Sequence, residues 1–388
     1  MSIDKKEVKR RDFLKGAATG VGVGVFAAMG MYSYSDARKE LFPQKERKKK
    51  DIGVCKSIHV TNISETSWFD NATLIGDIKK SGGLLVNQYD YNWPPFGNGQ
   101  GLGKGSYKDG MAKIKEFLPD RLDEAWDVIL ENCIHPDNPG GYSCLIEMEE
   151  MDGNKRKFLL DTGWSYKWMD ECFKREGIDT MLRNKEIEAL FISHEHFDHY
   201  WGLPVTLQYD PEITIYIPEG FYEEGLQYIK DCGHKGEVHV VKNGLFEVAP
   251  GFATYVFPVP IICRVYGEQS LYFNIAGKGL VSVTGCCHQG IIRFAETAYQ
   301  EIAYENDNFH GIYGGLHISP FEDWDPKYDD LVISLGKYGF ERIGCNHCTG
   351  VLCAKKFINA GYPVVEGTAQ FRSKDTAYLG NGDTITFG

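Results

Sequence analysis

Three histidines and one aspartate fall within six residues, His194-Glu195-His196-Phe197-Asp198-His199, directly after Ser193 and an apolar run. So dense a set of donors constrains the backbone that carries it. His194 and His196 share one side of an extended or turning segment, as residues two apart do on a strand, and together can grip one metal. The run before them, Ile187 to Ile192, is short, rich in β-formers and without helical period, and predicts a buried strand that ends where the histidines begin. Asp198 and His199 follow where the chain curls into a helix start, within reach of a second ion. Neutral imidazoles and a carboxylate suit zinc first, with manganese or iron as alternatives, and two divalent metal ions close together can hold a bridging hydroxide.

Further donors recur at strand ends. Asp161-Thr162-Gly163 follows the apolar run Lys157 to Leu160. Downstream come Thr284-Gly285-Cys286-Cys287-His288-Gln289-Gly290, Gly314-Gly315-Leu316-His317, and Cys345-Asn346-His347-Cys348-Thr349-Gly350. Strand-like runs precede each: Gly279 to Val283, His310 to Tyr313 and Arg342 to Gly344.

The H-x-H-x-D-H pattern, with Asp161-x-Gly163 upstream and T-G-C-x-H-x-G, G-G-x-H and H-C-T-G in order downstream, resembles the metallo-β-lactamase fold superfamily. It is most similar to a branch that includes dihydropterin ribofuranosylaminobenzene phosphate synthases and metal-dependent hydrolases, over roughly Cys133 to Gly388. The resemblance implies an α/β fold, the four-layer αββα sandwich, with metals at one edge where strand ends and loops converge. It implies metal ligation by His194, His196, Asp198, His199, His288 and His347, with one of His288 and His347 completing each ion's set. Many members place a bridging aspartate after Thr-Gly, where this chain has Cys286, so Cys286 is a possible ligand and the number of metals follows less directly than the presence of one. A thiolate there favours zinc. Asp161 is expected to fix the ligand loop rather than perform chemistry. The implied activity is hydrolysis of a small ester, amide or phosphoester by a metal-bound hydroxide, with Asp198 orienting it and His317 as candidate acid for the leaving group. The alternatives are a pterin-type transferase that forms a C–N bond and releases diphosphate, and a noncatalytic metal-binding or ligand-sensing protein. His59, His135, His234, His239 and His310 lack comparable company and read as surface or structural histidines.

At the other end of the chain, Lys9-Arg10-Arg11-Asp12-Phe13-Leu14-Lys15 precedes a weakly apolar run from Gly16 to Met31. This resembles a twin-arginine export signal, a receptor-read address that carries folded proteins. The run is shorter than the roughly twenty residues that span a bilayer. The expectation is therefore a signal segment over 1–32, passage through the twin-arginine translocase and a periplasmic protein without stable membrane insertion, or a membrane-anchored one if the signal stays. A basic linker over 33–55 follows, and then one domain over 56–388.

A formal net charge of -12 argues against nonspecific nucleic-acid or anionic-membrane partners and leaves a small-molecule substrate. Eleven cysteines without regular spacing do not read as a disulfide framework. The pairs Cys286-Cys287 and Cys345-x-x-Cys348 suggest zinc binding or packing near the metals. The segment from Asn62 to Pro136 reads as an insertion rich in aromatics and glycines, with helices over 108–132 split at Pro119, serving as an aromatic lid, a structural cover or an oligomer contact. Further strands are predicted at 57–60, 213–217, 238–241, 253–257 and 270–275, and helices at 221–231, 291–301, 328–337 and 351–360.

Overall fold

In the computed structural model of the chain, which describes residues 49–66, 140–258, 267–304 except Gln289, and 309–388 except Phe321, Asp323 and Asp325, alternating side chains sort the strands into layers. In chain order the strands are β1 (Lys50–Asp51), β2 (Ser57–Ser64), β3 (Ser143–Glu149), β4 (Lys155–Leu160), β5 (Ala189–Phe191), β6 (Thr214–Pro218), β7 (Val238–Val241) and β8 (Gly244–Ala249). They continue with β9 (Phe252–Phe257), β10 (Glu268–Ile275), β11 (Gly279–Thr284), β12 (Ile302–Ala303), β13 (Phe309–Gly315), β14 (Arg342–Asn346) and β15 (Thr384–Phe387). The helices are α1 (Tyr166–Arg175), α2 (Ile178–Arg183), α3 (Phe197–Tyr200), α4 (Leu203–Tyr209), α5 (Glu223–Asp231), α6 (Ile291–Glu301), α7 (Lys327–Leu335) and α8 (Val351–Asn359).

One sheet runs β15-β2-β3-β4-β5-β6-β7 and the other β14-β13-β11-β10-β9-β8, while β1 and β12 form a small parallel pair. Ile146, Phe158, Leu160 and Phe191 from the first sheet meet Phe252, Leu271, Phe273, Val281 and Val283 from the second in one buried cluster. The residues between them point the other way. Leu145, Leu159 and Leu190 pack outward on Met169, Cys172 and Phe173 of α1 and Leu182 of α2. Tyr272, Leu280, Ile312 and Ile343 pack outward on Ile291, Phe294 and Ala295 of α6, Leu331 of α7 and Phe357 of α8. Helix, sheet, sheet, helix is the four-layer αββα sandwich of the metallo-β-lactamase fold, as the motifs imply.

Within the first sheet β4 to β7 are parallel, and within the second β11, β13 and β14 are parallel. Parallel neighbours end at the same edge, so their carboxyl-terminal loops collect there, where α/β folds build their sites.

Several expectations shift. The linker expected over 33–55 is already part of the fold by Lys50, since β1 pairs with β12 and Cys55 bridges to Ile275. Its two final lysines pack rather than float. Lys49 lies over the rings of Tyr299 and Tyr304, and Lys50 pairs with Glu247 at 2.7 Å. Residues 62–64, expected to open the insertion, instead finish β2. The signal over 1–32, most of the linker and the insertion from 67 to 136 with its helices lie outside the described residues, as does His135. Strands β3, β8 and β15 and helices α1, α2 and α4 were not anticipated. Among the described residues no helix is long and apolar enough to cross a membrane.

Candidate metal centre

Every residue singled out by the motifs sits just past a parallel strand: Asp161 after β4, His194 to His199 after β5, Cys286 and His288 after β11, His317 after β13, and His347 and Cys348 after β14. The two sheets bring these loops face to face. His194, His196 and His288 form one group whose ligand atoms lie within 4.8 Å of one another, and Asp198, His199 and His347 form a second. Of the two histidines left open, His288 lies with His194 and His196, and His347 with Asp198 and His199. In each group two residues come from the first sheet's loop and one from the second sheet.

The protons on the far side of each ring define what faces inward. His199 Nδ1 lies 2.7 Å from Asp161 Oδ2, and His288 Nδ1 lies 2.9 Å from Glu268 Oε1. A carboxylate only accepts, so each Nδ1 carries the proton and each Nε2 keeps its lone pair for the centre. His194 Nδ1 meets Ser193 Oγ at 2.8 Å, leaving Nε2 to face His196 Nδ1 at 3.0 Å. In the second group His199 Nε2 and His347 Nε2 stand 3.2 Å apart, with Asp198 Oδ2 3.4 Å from His347. Confronted ring nitrogens beside a carboxylate, buried against both sheets, are a donor set that fits a cation.

The electrostatics differ between the two groups. Burial, and then the neighbouring imidazoles, hold His194 and His317 well below the usual histidine range, so both are neutral at pH 7. Burial would raise Asp198, but the imidazoles of His199 and His347, the latter through a hydrogen bond, outweigh it and hold the carboxyl below its ordinary value. Burial opposes a charge on His347 too, yet the hydrogen bond with Asp198 wins and lifts it to about 9.

The loop is braced from behind by Asp161. Its Oδ1 accepts from the Ser193 N–H at 2.6 Å and its Oδ2 from the Ser193 hydroxyl at 2.6 Å, besides holding His199. Asp161 has φ 62, and His317 and His347 have φ 46 and 50, so three site residues occupy the left-handed region that side chains ordinarily avoid. Gly285 lets the β11 loop approach, since a Cβ there would overlap Ser193 Oγ and Asp161 Oδ2. From the second sheet, Gln269 donates to the Ile192 carbonyl at 2.7 Å, and its own N–H donates to the Ser193 carbonyl at 2.8 Å.

Cys286 stands between the two groups, with its sulfur 3.4 Å from His199 Nε2 and within 4.8 Å of the ligand atoms of both His194 and His199. Burial, and then the adjacent Cys348 sulfur, push its thiol well up. His317 groups with Cys286 and Cys348, and its ring centroid is 4.3 Å from that of His288. Glu195, inside the signature, points away. Its Oε2 accepts from the Tyr222 N–H at 2.9 Å, at the start of α5. The histidines read as structural are so placed: His310 pairs with Glu341 at 2.8 Å, His234 reaches the Ile213 carbonyl at 2.7 Å, His59 meets Thr386 at 2.8 Å and His239 lies by Glu237 at 3.1 Å.

Glu268, Ser193 and Gln269 were missed by sequence reasoning. Glu268 and Gln269 open a strand with no motif around them, and only the sheet-on-sheet packing carries them to the loop. Cys348 was expected to bind zinc or pack near the metals together with Cys345; its sulfur instead lies against that of Cys286.

Comparison with known proteins places these features. The model of the Metallo-beta-lactamase superfamily matches residues 139–259, which covers β3 to β9 and the H-x-H-x-D-H loop and stops before His288, His317 and His347. A 7,8-dihydropterin-6-methyl-4-(beta-D-ribofuranosyl)-aminobenzene-5'-phosphate synthase of Methanocaldococcus jannaschii is 23% identical over 255 residues, 56% of this chain and 83% of that protein. A ribonuclease Z of Listeria welshimeri is 26% identical over 141 residues, 34% of this chain and 43% of its own. Among solved structures, Tm1679, described as a metal-dependent hydrolase of the beta-lactamase superfamily, aligns with a TM-score of 0.44 at 19% identity, covering 64% of this chain and 91% of that one.

Proposed function

We propose, taking the αββα metallo-β-lactamase fold as premise, that this chain is a metal-dependent hydrolase of a small ester, amide or phosphoester. The observation that carries the reading is the pair of donor groups, each drawn from both sheets and each containing an imidazole aligned by a buried carboxylate. His194, His196 and His288 would hold one divalent ion, and Asp198, His199 and His347 the other, with zinc favoured where Cys286 joins as a thiolate. Bound there, the ions would lower the pKa of water toward about 7 and polarise the scissile oxygen.

The chain's own residues do the rest. Asp198 stays ionised and accepts a hydrogen bond from the attacking water, which orients its lone pair. His317, held neutral by burial, serves the leaving group from beside His288 as a hydrogen-bond donor rather than as the proton-giving acid expected from the sequence. Asp161 and Glu268 hold the His199 and His288 tautomers that leave lone pairs facing the substrate side. His196 is the partly exposed member of the first group, so substrate and water enter past it.

Metal content by mass spectrometry, paired with chromogenic phosphodiester, ester and lactone or lactam assays, tests the reading. Two metals per chain with turnover, both diminished in His196→Ala, support it. A chain that binds no metal and turns over nothing overturns it. Export belongs to the same reading: Arg10-Arg11 with Phe13-Leu14-Lys15 supports delivery by the twin-arginine translocase to the periplasm, and replacing both arginines by lysine should leave the protein in the cytoplasmic fraction.

A second reading is favoured by the likeness to the pterin-related synthase, which spans most of that protein. In it the same centre assists loss of diphosphate during C–N bond formation. Diphosphate release from a pterin methyl diphosphate and an aminobenzene ribofuranosyl phosphate, without turnover of simple esters, would decide for it.

A further inference from the structure

Two sulfurs meet at the metal centre. Strands β11 and β14 lie on either side of β13, and Cys286 and Cys348 each come two residues after the end of their strand. Between them β13 ends in Gly314-Gly315, where no side chain intervenes. A Cβ on Gly315 would lie 2.7 Å from the Cys348 sulfur and would overlap the Gly285 carbonyl, so glycine is what lets the two loops close over the strand. Across that gap the sulfurs stand 3.1 Å apart, both thiols being buried and free. A disulfide needs about 2.05 Å, roughly one ångström of further approach. Their neighbours take no part: Cys287 and Cys345 turn into the apolar cluster under α6 and α8. Of the four cysteines in the two motifs, the fold therefore selects one pair, drawn from different strands, and one member of that pair is the sulfur between the two donor groups.

We propose that Cys286 and Cys348 are an oxidisable dithiol, converted by a peroxide to a disulfide that withdraws the Cys286 sulfur from the metal centre. In the first step one sulfur attacks a peroxide oxygen and the O–O bond breaks, giving a sulfenic acid and water or alcohol. The second sulfur then attacks the sulfenic sulfur, the S–O bond breaks and water leaves. Two electrons pass from the pair of sulfurs to the peroxide, and the two thiol protons end on its oxygens. A small dithiol reverses the change by thiol–disulfide exchange. The oxidant is a peroxide rather than a protein disulfide because both sulfurs are buried. Hydrogen peroxide is nearly as small as the water a hydrolytic site must admit past His196. Once bonded to Cys348, Cys286 offers no thiolate, and the group of Asp198, His199 and His347 loses its adjacent soft donor.

The withdrawal of a ligand rests on the metal reading above, whereas the disulfide does not, and the test separates them. Zinc-loaded and chelator-stripped protein is treated with hydrogen peroxide, then analysed by non-reducing peptide mass spectrometry, thiol titration and release of zinc to a chromogenic chelator. The expected result is a peptide linking Cys286 to Cys348, two fewer titratable thiols, faster oxidation of the stripped protein, and zinc released in step with the link and rebound after dithiothreitol. In Cys348→Ser the link is lost. Cys348→Ala serves equally if the serine variant folds poorly. No link, or a link through Cys287 or Cys345, overturns the proposal. A link without zinc release overturns the ligand-withdrawal half alone and leaves the dithiol standing.

Discussion

The site's chemistry is set by which ring nitrogen carries a proton, and that is decided one shell out from the ligands. Asp161 and Glu268 each anchor one imidazole, and they do so in different donor groups. Asp161→Asn should therefore weaken metal binding at the His199 group by about 10–100-fold and, through Ser193 and His194, at the His288 group to a lesser degree, whereas Glu268→Gln should act on the His288 group alone. Competition with a chromogenic chelator, titrated one ion at a time, checks both. A similar divergence is expected of the ligands: His196→Ala and His347→Ala each lose one metal, and the double variant loses both. The clustered ligands were legible because their spacing is chemistry written directly into sequence. His194 and His196 two apart, and Asp198 and His199 at a helix start, need no tertiary context. The assignment of His288 to one group and His347 to the other was not legible, since both follow strands and both have glycines nearby. Only the order of β11 and β14 across the sheet separates them.

Strands place the loops, and glycine lets them close. Gly314 has φ +127, and a Cβ there would overlap the Thr284 carbonyl of the adjoining strand. Gly314→Ala should cost about 3 kcal/mol or more and depress metal content, because it forces β13 away from β11 at the end that carries Cys286. Gly153→Ala is the control: φ is +89 in the turn between β3 and β4, but nothing lies within 4 Å, so the loss should be nearer to about 1 kcal/mol with metal content intact. Urea titrations of both variants with inductively coupled plasma metal analysis distinguish the two. At this scale the long apolar strands were readable, and β7 matches the predicted range from 238 to 241. Strand β3 was not read because apolar Leu145 breaks the alternation of Cys144, Ile146 and Met148 with Ser143 and Glu147, and its side chain packs on the outer helices instead. Strand β15 is short, and in β8 the exposed residues Phe246 and Glu247 are adjacent rather than alternating, which leaves little periodicity to read. Helix α1 has a clear apolar face of Trp168, Met169, Cys172 and Phe173, a signal that was available and unused.

At the scale of the described residues, two large sheets meet at one edge in the candidate metal centre. Each donor group takes residues from both sheets, so a bound ion ties one sheet to the other as a cross-link would. Metal present at about 100 times its dissociation constant should add about 2.7 kcal/mol per site, seen as a rise in thermal midpoint that chelation abolishes and zinc restores. A midpoint indifferent to chelator would mean that the sheets are held by their apolar interface alone. The same edge is also sewn shut by the chain's return path. Strand β15 pairs with β2, Thr384 opposite Thr61, and on the way Asn381 accepts from the Glu65 N–H at 2.7 Å and Tyr378 donates to the His347 carbonyl at 3.2 Å. A ribosome thus finishes every ligand well before it makes the segment that holds them. The nascent protein passes through a period in which all six donors exist and the segment that closes this edge does not, so an ion bound then would lack the bracing that Tyr378 and Asn381 supply.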